Sequence, residues 1–210
     1  MEKTLREYIE ERIIPMYDRF DAGHGREHVC AVVTEALRLA RFYDANEDMV
    51  YTAAAYHDTG LVLDRKTHHL ESGRIIRVDR ELRRWFSEDE IEVIAQAAED
   101  HRASSDHEPR SIYGRIIAEA DRQIIPESII LRTVQYGFKH YPELDKEGHW
   151  VRLCEHMAEK YDVGGYLKLW IPESRNAEGL ACLRDIIHNK SRLREFFEAA
   201  YDDVCRSYGR

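Results

Sequence analysis

The sequence lacks a long apolar run and an apolar leader. No window approaches the roughly 18 uninterrupted apolar residues that a membrane-spanning helix needs. The first residues, MEKTLREYIEERIIP, are rich in charge rather than typical of a secretion signal. We therefore expect a soluble, cytoplasmic protein with no membrane partner.

Cysteine is scarce, and a basic surplus is absent. The four cysteines lie far apart, and none forms a CxxC pair, which excludes a zinc ribbon and a dithiol redox motif. Lys and Arg total 31 against 40 Asp and Glu, a formal net charge of −9. Because such a chain releases few counterions from a polyphosphate backbone, we expect no polymeric nucleic acid as partner.

The alternation typical of β-strands is almost absent, whereas helical spacing of apolar residues is frequent. We therefore predict an all-α fold and, since no linker interrupts the chain, a single helical domain over 1–210. The predicted helices cover 25–43, 47–58, 68–78, a segment opened by a Ser87–Glu90 capping box, 111–124, a segment from Pro126 to a stop near Gly137, a segment from Pro142 to Tyr161, and 177–207 with a break at 189–191. The predicted loops are 60–67, 102–110 and 162–165.

Histidine is the residue type that stands out. Seven of the eleven histidines fall between positions 24 and 107. Several lie on the apolar faces of predicted helices, together with two aspartates. The core-facing titratable residues are His28, His57, Asp58, His68, His101 and Asp121.

A buried carboxylate costs several kcal/mol unless something pairs with it, and histidines alone are weak partners. A divalent metal removes this difficulty, because imidazole and carboxylate together suit Mn, Fe, Co, Ni or Zn. Each residue alone has a simpler interpretation. His101 is explained by a hydrogen-bonded core histidine, Asp121 by an ion pair with Arg115 or Arg122, and His68 by a helix start. Only their conjunction favours a metal site.

The order His28, His57-Asp58, Asp121 resembles the pattern that defines the HD-domain superfamily of metal-dependent phosphohydrolases. The segments that resemble the family are HGREHVCAVVTEALRLA, AAAYHDTGL, HHLESGRII, AAEDHRAS and IIAEADR. The resemblance covers about 20–125 and implies a compact helical bundle with these four side chains on one metal. Residues 139–210 resemble no family that we can name and form a C-terminal helical extension.

In family members with two metals, histidines on the intermediate helices bind the second ion. His68 and His101 match those positions, with His69 as the rival of His68. The resemblance thus implies one or two divalent ions per chain (Mn, Fe, Co, Ni, Zn or Mg). The residues after the doublet, Thr59 to Val62, depart from several named branches of the family, so the chain is most similar to small stand-alone bacterial HD proteins.

The implied activity is release of phosphate or pyrophosphate from a nucleotide or other small phosphorylated metabolite by metal-activated water. Asp58 would hold the water, and His68 or His101, if not metal-bound, would protonate the leaving oxygen. Arg26, Arg65 and Arg102 are the candidates for binding the phosphoryl group, with Arg102 also catalytic. Two alternatives stay open, a di-iron oxygenase of the HD type and a non-catalytic nucleotide sensor. The sequence also leaves a homodimer open.

Overall fold

A computed structural model of the protein describes residues 3–21, 23–105 and 107–207. These residues are all-α, as predicted, and contain no β-strand. The helices are α1 (Leu5–Arg12), α2 (Arg26–Ala40), α3 (Glu47–Tyr56), α4 (His68–Val78), α5 (Glu88–Glu99), α6 (Ile112–Arg122), α7 (Pro126–His140), α8 (Lys146–Tyr161), α9 (Asn176–His188) and α10 (Lys190–Ser207). Short 3-10 helices occupy Ile14–Arg19, Thr59–Val62 and Arg80–Arg84. None of the helices in the described ranges is long and apolar enough to cross a membrane.

The helix ends follow local chemistry. The predicted capping box of α5 is confirmed, because the Ser87 hydroxyl accepts from the Glu90 amide and the Glu90 side chain accepts from the Ser87 amide. Asn46 caps α3 by accepting from the amides of Asp48 and Met49. Pro126 opens α7, as predicted.

Three predicted boundaries are wrong. Helix α7 continues past Gly137 to His140, because this glycine serves close packing and not a stop: a Cβ at Gly137 would lie 2.8 Å from His149 Nδ1. Helix α8 begins at Lys146 and not at Pro142, since Asp145 caps it by accepting from the Gly148 amide. Residues 59–62 form a 3-10 helix where a loop was expected from Gly60. The predicted break after α9 is confirmed at Asn189.

The chain divides into two compact units. One unit comprises the residues up to Arg122 together with Trp170–Ser174, and the other comprises Gln123–Leu169 together with the residues from Arg175 on. This division does not test the prediction of a single domain over 1–210, which stays a prediction.

The first unit has an apolar core built from the predicted stripes. Val29, Val32 and Ala36 of α2 are fully buried, as are Ile94 of α5 and Ile117 of α6. Helices α2, α3, α5 and α6 pack against one another around this core, and α4 packs along α5. Six candidate ligands lie in this unit, at or near the ends of α2, α3, α4, α5 and α6.

The segment Trp170–Ser174 belongs to the first unit through a buried carboxylate on α6. Glu119 is fully buried, and it accepts hydrogen bonds from the Trp170 amide at 2.7 Å and from the Ser174 hydroxyl. Its position three residues after Ile116, on the apolar stripe, is the signal that could have identified it in the sequence.

Candidate metal centre

The His-Asp doublet lies where α3 ends and is fixed by backbone contacts. His57 is fully buried and its Nδ1 lies 2.8 Å from the Ala54 carbonyl oxygen. The Asp58 amide donates to the hydroxyl of buried Tyr17 at 3.2 Å, and that hydroxyl donates to the Ala55 carbonyl at 2.9 Å. Tyr17 therefore holds the turn that carries both doublet residues, a role that the sequence analysis missed because the contact spans 41 positions.

Three histidines share one arrangement of their ring nitrogens. Nδ1 of each lies against the carbonyl oxygen three residues earlier, for His57 with Ala54, for His68 with Arg65 and for His101 with Ala98. A carbonyl only accepts, so each Nδ1 carries the proton and donates it. In the neutral ring Nε2 then carries a lone pair, which is the form in which imidazole binds a metal.

The first ligand group combines His28, His57, Asp58 and Asp121. Nε2 of His57 lies 3.3 Å from Nε2 of His28 and 3.3 Å from Asp58 Oδ2. Asp121 Oδ1 lies 3.1 Å from His28 Nε2 and 3.7 Å from His57 Nε2. Ligand atoms from α2, from the turn after α3 and from α6 thus lie around the Nε2 atoms of His28 and His57.

The second ligand group combines Asp58, His68 and His101. Asp58 Oδ1 lies 3.3 Å from His68 Nε2 and 3.5 Å from His101 Nε2, and these two nitrogens are 3.1 Å apart. Asp58 therefore gives Oδ2 to the first group and Oδ1 to the second. It is the one carboxylate in the described residues for which both oxygens face a possible metal position.

The donor atoms fit divalent metals in chemistry and in spacing. Ligands bound to one ion at about 2.0–2.2 Å lie roughly 3–3.6 Å from each other. The contacts between histidine nitrogens, and between histidine nitrogens and aspartate oxygens, run from 3.1 to 3.8 Å in the two groups. Two imidazole nitrogens that face each other at 3.1 Å, as in His68 and His101, hold either a proton or a metal ion between them. Both groups could therefore hold a divalent ion.

Burial and neighbouring charged groups shift the pKa values of the ligand residues. Burial lowers the pKa of His57, but Asp58 and Asp121 outweigh burial and hold this pKa well above its usual range. Burial raises the pKa of Asp58, yet His57 and His101 hold it well below its usual range. Burial and the neighbouring His101 lower the pKa of His68 to about 4. A bound metal would compete with a proton on His57, so binding there releases protons.

The structure distinguishes His68 from its rival. His68 Nε2 lies 3.3 Å from Asp58 and 3.1 Å from His101, whereas His69 belongs to neither ligand group in the part of the chain that the structure describes. The rings of His68 and His69 are 5.6 Å apart and inclined by 69°. The two neighbouring histidines at the start of α4 therefore face different surroundings.

The three predicted phosphate-binding arginines have different partners. Arg26 donates two hydrogen bonds of 2.8 Å to the Asp18 carboxylate, and Arg65 donates one of 2.8 Å to Asp21. Arg102, next to His101, donates to the Lys66 carbonyl at 2.6 Å and to the Ser104 hydroxyl at 2.9 Å. Both of these acceptors are neutral, so neither balances the positive charge of Arg102, which directly follows His101 of the second ligand group.

Compared with models of known families, residues 25–123 match the family described as HD domain. Comparison with curated proteins finds no match, and neither does comparison with solved structures. The matched segment begins just before α2 and ends just after α6, so it contains every residue of both ligand groups. With the all-α fold and the ordered His, His-Asp and Asp residues, this match shows an HD domain at residues 25–123.

Proposed function

We propose that the protein is a metal-dependent phosphohydrolase that acts on a nucleotide or another small phosphorylated metabolite. The observation that carries the proposal is the placement of Asp58, whose two oxygens face two separate groups of imidazole ligands at 3.3 Å. The HD domain supports the same reaction class. The proposed ligands are His28, His57, Asp58 and Asp121 for one ion, and Asp58, His68 and His101 for a second.

Divalent ions bound at such a pair of sites lower the pKa of a coordinated water toward 7 and stabilise the charge that develops on phosphoryl oxygens. In hydrolysis the water oxygen bonds to phosphorus, the bond from phosphorus to the leaving oxygen breaks, and the leaving group departs with that electron pair. The contribution of this chain is to position the reactants. Asp58 lies between the two ligand groups and can orient the water and the phosphoryl group together.

The hydrogen bonds of His68 and His101 limit which type of phosphate bond the protein can hydrolyse. With Nδ1 of His68 and His101 bonded to carbonyls and Nε2 used for metal binding, neither histidine has a proton to give to the leaving oxygen. A phosphate leaving group needs no proton at neutral pH, whereas an alkoxide does. We therefore favour a phosphoanhydride bond as the one that is cleaved.

The test is a screen of the purified full chain. Nucleoside mono-, di- and triphosphates and general phosphoesters are incubated with Mn, Mg, Co, Ni or Fe, and phosphate and pyrophosphate release are measured together with metal content. We expect metal-dependent release that EDTA abolishes. Two irons per chain with oxygen consumption would instead support the oxygenase, and unchanged nucleotide with all metals would support the sensor.

Of the three candidate arginines, Arg102 is the one whose removal we expect to lower activity most. Its guanidinium donates only to neutral acceptors, whereas that of Arg26 is balanced by Asp18. We expect Arg102→Ala to lower kcat/KM by about 100-fold, since one fixed donor to a phosphoryl oxygen contributes on this order, with partial recovery in Arg102→Lys. Arg26→Ala is the matched control and should change kcat/KM less than about threefold. Equal losses in both variants would contradict this assignment.

A further inference from the structure

A cavity of about 280 Å³ has a wall made by the two helix ends that supply the second ligand group. Its lining comprises His69, Leu70, Glu99, His107, Glu108 and Arg110. His69 directly follows the ligand His68 at the start of α4, and Glu99 ends α5 two residues before the ligand His101. The cavity and the second ligand group therefore share the start of α4 and the end of α5.

The charges around the cavity do not suit a phosphate. Glu99 and Glu108 contribute two carboxylates, whereas Arg110 contributes one guanidinium. That guanidinium donates to Glu99 Oε2 at 2.7 Å and to Asp100 Oδ1 at 2.9 Å, so its charge is balanced within the protein. The cavity therefore favours the uncharged part of a substrate over its phosphoryl part.

The polar groups of the lining offer a donor and an acceptor. His69 Nδ1 is buried and has no hydrogen-bond partner among the residues that the structure describes. Burying a bare acceptor is tolerated better than burying an unpaired N–H, so the proton of the neutral ring belongs on Nε2. Glu99 accepts from Arg77 and Arg110, yet a carboxylate has about four acceptor positions and can take a further donor.

We infer, building on the proposed function, that this cavity binds the base of a nucleotide whose phosphates lie at the ligand groups. A donor on His69 beside an acceptor on Glu99 matches the alternating edge of a heterocyclic base. Leu70, which is 52% exposed, supplies apolar surface for the face of the ring. The volume is just below the roughly 300–1,000 Å³ of pockets for drug-sized ligands, which suits a base with its sugar. His69 thereby determines the preference for nucleotides.

The experiment compares the full wild-type chain, loaded with Mn, with His69→Ala and His69→Gln. The control variant is His188→Ala, which removes an exposed histidine bonded to Asp162 in the other compact unit. Hydrolysis is measured for the common nucleoside di- and triphosphates and for two phosphoanhydrides without a base, pyrophosphate and tripolyphosphate. Binding of the phosphate-free nucleosides is measured by calorimetry, and metal content and melting temperature are measured for each variant.

We expect His69→Ala to raise KM for nucleotides and Kd for nucleosides about tenfold, as loss of one hydrogen bond does. Values for both base-free substrates, the metal content and the His188→Ala control should stay unchanged. His69→Gln, which retains a donor, should recover part of the loss and provides the test if His69→Ala does not fold. Equal effects on nucleotides and base-free substrates would overturn the inference.

The two proposals fail separately. Hydrolysis of base-free substrates by a wild-type chain that binds no nucleoside would overturn the base site and leave the phosphohydrolase intact. Nucleoside binding that depends on His69 in a chain that hydrolyses nothing would support the base site and contradict the phosphohydrolase.

Discussion

Asp58→Asn is expected to lower phosphate release by about 10³-fold or more and to reduce bound metal from two ions per chain to at most one. The reason is that the two carboxylate oxygens of Asp58 face different ligand groups. Oδ2 faces His57 at 3.3 Å and Oδ1 faces His68 at 3.3 Å. An amide of the same shape has one acceptor oxygen, and its NH₂ group presents protons to the other set of lone pairs. Asparagine can therefore serve only one of the two groups.

The measurement is metal content by elemental analysis after dialysis, together with phosphate release on the best substrate from the screen. Asp44→Asn, at an exposed aspartate of the same compact unit, makes the same chemical change and should affect neither quantity. A circular dichroism spectrum like that of the wild type shows that the variant is folded. An Asp58→Asn protein with full activity and two ions would refute the assignment of both groups.

Asp121 provides a second comparison for the same prediction. Its Oδ1 contacts His28 and His57 of the first group, and neither histidine of the second group. Asp121→Asn should therefore weaken the first metal position and retain the second. If Asp121→Asn and Asp58→Asn lose the same metal, Asp58 is a ligand of the first group only.

The sequence predicted the helices, and it identified the titratable residues that the structure brings together, because both depend on local spacing. A stripe such as Val29, Val32 and Ala36 shows the buried face of its helix, and residues next to the stripe, such as His28, must lie close to the core. Five helix ends carrying such residues converge because the helices share one core. The order of the residues along the chain was therefore informative about the site without any knowledge of distances.

The contacts that the sequence could not predict depend on turns and on long-range approach. The choice of His68 over His69 depends on the bond from His68 Nδ1 to the Arg65 carbonyl, which the path of the loop before α4 determines. The ion pair of Arg26 with Asp18 depends in the same way on the loop before α2. Tyr17 supports the doublet from 41 positions away, a distance at which periodicity carries no information.

Gly60→Ala is expected to destabilise the protein by roughly 1–3 kcal/mol and to remove the second metal while the first is retained. A Cβ at this position would lie 2.0 Å from the His68 carbonyl oxygen and 2.7 Å from the Ser72 nitrogen. Both atoms belong to the backbone of α4, so no side-chain rotation relieves the clash and the helix must move. The movement carries His68 Nε2 away from Asp58 Oδ1, now 3.3 Å distant.

The first ligand group does not depend on α4, because His28, His57 and Asp121 lie on α2, after α3 and on α6. Metal content after dialysis should therefore fall from two ions to one in Gly60→Ala, and the melting temperature should fall with it. Gly148→Ala is the matched control, since its nearest contact is the flexible end of Leu144 at 3.1 Å. This control should leave metal content unchanged. Two ions retained in Gly60→Ala would show that the approach of α4 to Gly60 does not position His68, whereas loss of both ions would show that the two groups bind metal as one unit through Asp58.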